Sequence, residues 1–182
     1  KYKELTQYMD SCIYDSDEWL RGIVKKEFLA GSPYSVPYLR NQLLTARSPT
    51  VRVRTAEILG DIANREKSME FRFHRDTSAA DTVLGQLEKE EDPLSKQALL
   101  QAVFWFSDAM DVKQKSQLHT AVMKLLDHPN EDVRFWAAFD LLRVFPKNRH
   151  IVKERLANSA FVRDTYRPVL IQRIKFEDEK GE

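Results

Sequence analysis

Few residues in the chain have the type and spacing that catalysis needs. The four histidines, His74, His119, His128 and His150, have no second histidine or carboxylate at metal-ligand spacing on a helix, and no HExxH run occurs. Cys12 is the single cysteine, which excludes an intramolecular disulfide and a cysteine zinc cluster. It falls on an apolar helical face, where cysteine acts as a small hydrophobe. The GxGxxG and GxxxxGK[ST] phosphate cradles and the GxSxG nucleophile elbow are missing. No catalytic residue, metal or cofactor is expected. Recognition chemistry is better supplied. Arg54, Asp61, Gln97, Gln101, Phe104, Trp136, Asp140 and Arg143 place aromatic, amide and charged groups at matching positions of three related segments. Aromatic and arginine side chains dominate binding hot spots. The alternative is that Trp136 packs between helices and the charges are solvated.

The elements that must position these residues are helices. Of 182 residues only 5 are Gly and 7 Pro, which disfavours turn-rich β folds and low-complexity chains. Hydrophobics at 42% suffice for a core, and charged residues reach 31%. Leu5, Tyr8, Met9, Cys12 and Ile13 share one helical face over residues 3–14. Ser16 reads as the cap of the next helix, and Gly31 as its stop. Three segments then share a pattern: SPTVRVRTAEILGDIA at 48–63, DPLSKQALLQAVFWF at 92–106 and HPNEDVRFWAAFDLLRVF at 128–145. A fourth, AFVRDTYRPVLIQRI, covers 160–174, and each follows another apolar helix. Val51, Leu94 and Val133 recur at steps of 43 and 39 residues, the period of two-helix repeats; Val162 follows after 29. Counted from these anchors, offsets +3, +7 and +10 share a helix face; its polar and aromatic members in the first three segments are the eight recognition candidates, with Ile58 the apolar ninth and Thr165, Val169 and Gln172 the fourth segment's equivalents.

Pro49 with Val51-Arg52, Pro129 with Val133-Arg134, and the small residues Ala56 and Ala137-Ala138 resemble the HEAT-repeat family over about residues 36–175. The resemblance implies an all-α, right-handed superhelix of about four HEAT-like helix pairs. The single domain 1–182 would comprise an N-terminal cap at 1–31, repeats at 36–63, 79–106, 117–145 and 150–175, and an acidic tail at 176–182. It implies that Arg52, Arg134 and Arg163 form a structural ladder onto carbonyls or acids such as Asp92, Asp127 and Asp132. It also implies a concave face formed by the second helices, and hence a non-enzymatic scaffold that binds a protein partner there. The family supplies two other readings. Some HEAT-like glycosylases hold DNA with Trp, Asp and Arg, and others of the kind are chromophore-lyase subunits. The His-Glu pair of HEAT-like metal hydroxylases is missing.

Residues 64–78 are too long for an ordinary helix connection and carry Phe71, Phe73 and His74. They read as a binding loop or as a plug between repeats. Residues 147–175 hold eight cations against two acids, yet 29 basic and 28 acidic residues give a net charge of only +1. That balance gives no strong nucleic-acid signal. No stretch is apolar enough to span a membrane. The first residue, Lys1, reads as the start of a trimmed chain, so a removed leader and a cytoplasmic site both remain open.

Overall fold

The computed structural model of the chain describes residues 1–31, 34–68 and 77–179, and those residues are all-helical, with no strand. The loop candidates Phe71, Phe73 and His74 lie outside the described residues. The eleven described α-helices are α1 (Tyr2–Met9), α2 (Cys12–Ser16), α3 (Glu18–Ala30), α4 (Ser35–Thr45), α5 (Pro49–Ser68), α6 (Thr77–Lys89), α7 (Pro93–Phe106), α8 (Val112–Leu125), α9 (Glu131–Val144), α10 (Arg149–Leu156) and α11 (Arg167–Glu179). None is long and apolar enough to cross a membrane. The chain, expected as one domain, divides into two compact units, Lys1–Met110 and Asp111–Glu182.

In the first unit, α4 packs on α5 and α6 on α7, while α4 also meets α6 and α5 lies along α7. The α5–α7 seam is close because its residues are small. A methyl on Gly60 would come within 3.0 Å of the Ala102 Cα, and Ala56, Ala63 and Ala98 are buried beside it. Ser95 Oγ donates to Pro49 O across the same seam at 3.2 Å. Leu39, Leu43, Leu59, Leu84, Leu99 and Leu100 fill the core. On α4, Arg40 donates to Thr82 Oγ1 and Ser78 Oγ of α6. Tyr2, Phe28 and Tyr38 stack α1, α3 and α4 together.

Several boundaries differ from the sequence expectation; α5 runs on to Ser68, so residues 64–68 are helix rather than part of the expected loop. The first helix breaks after Met9, and Ser11 starts α2 by accepting from the Tyr14 N–H. Asp17 rather than Ser16 caps α3, taking the Leu20 N–H at 2.9 Å, because its carboxylate reaches one turn ahead. In the second unit the last helix starts at Arg167, not near Val162. Pro168 has no N–H to give and fits only a helix's first turn, so Val162-Arg163 lie in the preceding loop. Residues 176–179, expected in the acidic tail, continue α11.

The second unit centres on α9, which packs against α8, α10 and α11. Val133, Ala137, Ala138, Leu141 and Leu142 are fully buried there. Tyr166 stacks on Phe135 with ring centroids 4.1 Å apart and donates its hydroxyl to Asp132 at 2.7 Å. That bond to the carboxylate raises the phenol pKa.

Candidate functional site

The first unit carries an open groove of about 600 Å³ between the cap helices and the second helices of the two pairs. One wall is α3, where Glu18, Arg21, Gly22 and Lys25 fall on one face at i, i+3, i+4 and i+7. The floor and opposite wall are α5, through Glu57, Ile58, Gly60 and Asp61, and α7, through Gln101, Ala102 and Trp105. Tyr14 of α2 closes one end.

Ion pairs fix much of this surface. Lys25 Nζ meets Asp61 Oδ2 at 2.5 Å. Arg54, half-buried beside the groove, donates from Nη1 to both Glu57 oxygens at 3.0 Å and from Nε to Asp15 at 3.0 Å. Its guanidinium also lies 5.8 Å from the Tyr14 ring centre. Burial, and then the nearby Glu57, raise the Tyr14 hydroxyl pKa and keep it a neutral donor. Trp105 meets Phe104 edge-on at 4.8 Å and packs beside Gly60.

Of the eight recognition candidates, Asp61 and Gln101 line this groove together, and Arg54 braces its edge. Phe104 is one residue away from it: Trp105 supplies the aromatic wall. A single step turns a helix residue by about 100°, enough to exchange one side chain for its neighbour. Gln97 is half-buried, and its amide nitrogen makes no hydrogen bond within the protein. The groove residues that sequence reasoning missed are Glu57, Gly60, Ala102 and Trp105, together with all those of α2 and α3. Trp105 was legible as the second of two adjacent aromatics. The α3 wall left a weaker signal, a glycine inside an otherwise good helix.

The other three candidates belong to the second unit. Trp136 is half-buried, edge-on to Phe135 at 5.2 Å and to Phe139 at 5.7 Å. Arg143 stacks over Phe139 at 5.4 Å. Asp140 does not stand on an open surface: it is 1% exposed, and neither carboxyl oxygen has a hydrogen-bond partner. Burial, opposed only by Arg143, pushes its pKa well above the ordinary value.

Two of the three turn arginines make the same local bonds. Arg52 Nη1 donates to Ala46 O and Arg47 O, six and five residues back. Arg134 Nη1 donates to His128 O and Pro129 O at the same spacing. Their far edges differ. Arg52 forms a two-pronged pair with Glu90, at 2.7 and 2.9 Å, while Asp92 caps α7 instead. Arg134 reaches Ala160 O and Phe161 O. Arg163 pairs with Glu131 and Asp132 and lies over the Tyr166 ring.

The basic stretch 147–175 is largely answered inside its own unit. Arg149 and Lys153 share Asp178, Arg155 grips Asp127, Arg173 pairs with Glu177, and Arg167 donates to backbone carbonyls. Among the described residues no group of three or more His, Cys, Asp or Glu could hold a metal ion. Comparison with protein-family models, curated proteins and solved structures finds no match.

Proposed function

We propose that this chain is a HEAT-like helical-repeat scaffold that binds a protein partner, and that the groove walled by α3, α5 and α7 is where the partner docks. The resemblance in the turns and small residues supports the HEAT-like reading. So does the packing within the first unit, with first helix on first helix and second helix on second. The solenoid is part of this proposal and rests on the packing within the first unit. The observation that carries the binding reading is the groove itself. It joins an aromatic wall, an amide and fixed ion pairs in one recess about the size of known recognition pockets. The nucleic-acid reading is weaker, because most cations of the basic stretch are already held by neighbouring acids and carbonyls.

Photo-crosslinking tests the docking site. A benzophenone amino acid at Gln101, inside the groove, should trap one discrete protein adduct from the native extract. The same group at exposed Glu88 on α6 should not. Equal labelling from both positions, or none from Gln101, would remove the groove from the proposal.

A further inference from the structure

The groove has a chemical preference, and its argument rests on the protein-binding reading above. We propose that it receives the cationic side chain of an arginine or lysine carried by the partner polypeptide.

The charge inventory is the first reason. Three carboxylates line the recess, Glu18, Glu57 and Asp61, and Asp15 flanks it; against them stand Arg21 and Lys25 in the lining and Arg54 at the edge, which holds both Glu57 and Asp15. Lys25 pairs with one oxygen of Asp61, Oδ2. A carboxylate accepts several hydrogen bonds at once, so pairing does not exhaust it. The recess therefore holds surplus acceptors and a net negative charge. An acidic side chain entering it would meet four carboxylates against three cations, two of which, Lys25 and Arg54, are already paired.

The apolar surface is the second reason. Half-buried Trp105, lying over the buried Ile58 and Ala102, offers an indole face, the surface that long cationic side chains use for stem and head group. The α3 wall from Glu18 to Lys25 runs about 10 Å, at 1.5 Å per residue, which suits a long extended side chain.

Gly22 is the third. A glycine inside a helix costs about 1 kcal/mol relative to alanine. At Gly60 that cost has an internal cause, the 3.0 Å approach of Ala102. At Gly22 there is none: an added methyl would meet nothing within 4 Å. The bare backbone there opens the groove and lets an incoming chain come close to α3.

Indole nitrogen NMR tests the preference, with Trp19 and Trp136 as internal controls for Trp105. The probes are two capped pentapeptides, Gly-Gly-Arg-Gly-Gly and Gly-Gly-Glu-Gly-Gly, each titrated to millimolar concentration. The arginine peptide should move the Trp105 indole and Gly22 amide signals and leave Trp19 and Trp136 in place. Asp61→Asn should weaken that binding at least fivefold. Lys25→Gln should strengthen it severalfold, because Asp61 loses its internal partner; a purely steric recess would not respond this way. Equal or stronger shifts from the glutamate peptide, uniform shifts of all three indoles, or no Trp105 shift would overturn the preference. A Gln101 adduct combined with no arginine response would reject this inference and leave the docking site standing.

Discussion

The end of α6 in the first unit and the middle of α9 in the second each bury a carboxylate, and the two are treated in opposite ways. Glu90 is 4% exposed and Asp140 1%. Glu90 accepts two bonds from Arg52, one from Gln86 and the backbone N–H groups of Glu91 and Asp92. Asp140 accepts none. Burial pushes both pKa values up. At Glu90 the bonds from Arg52, Gln86 and Asp92 more than offset burial, and the carboxyl titrates below its ordinary value. At Asp140 burial prevails over Arg143, and the carboxyl titrates well above it. Two buried acids, one just past a helix end and one inside a helix, thus acquire opposite properties. The difference lies in whether a guanidinium is delivered to them from a neighbouring turn.

Breaking the paired site has the largest expected effect. Arg52→Ala leaves Glu90 buried without its counter-charge and should cost about 3–5 kcal/mol in denaturant unfolding. The same change in chemistry at the two acids should then give opposite signs. Glu90→Gln removes the charge that Arg52 needs and should destabilise by about 2 kcal/mol. Asp140→Asn removes a carboxyl whose ionisation burial opposes and should stabilise by about 1 kcal/mol at neutral pH.

The pH profiles sharpen the contrast. Glu90, lowered in the folded state, contributes stability that is present above its unfolded pKa and is lost as pH falls through the folded value. Asp140, raised in the folded state, holds its proton more tightly than the unfolded chain does. Its contribution is therefore lost as pH rises from the ordinary carboxylate value toward the raised one. Unfolding midpoints across pH should show Glu90→Gln flattening the acid limb, and Asp140→Asn flattening the decline on the other side.

The helical class was legible because Gly and Pro are scarce and apolar residues recur at helical spacing, as in Val51, Ala56, Leu59 and Ala63. The turn bonds of Arg52 and Arg134 left a readable signature in Pro and Val-Arg. Other features depend on what lies across a gap in sequence. Asp140 reads as a surface acid on any helical wheel, since polarity predicts exposure only on average. Glu90 lies near Asp92 in an acidic run, and nothing local says which of them receives Arg52. Gln101 was found and Trp105 missed because the repeat register defines each face only to within a residue. The α3 wall was out of reach of the repeat pattern: Arg21, Gly22 and Lys25 belong to the cap, and only the folded chain brings them opposite Asp61.

Gly22→Ala is the gentlest change and should stabilise the chain by about 1 kcal/mol, as expected for an unobstructed helix interior. Gly22→Leu uses the same open space to fill the groove. The most direct measurement is the affinity of this variant for the protein trapped from Gln101, with a melting temperature taken on the same sample. The groove reading predicts a helical protein at least as stable as the parent whose binding is weakened tenfold or more. Parental affinity in a stable Gly22→Leu protein would contradict it.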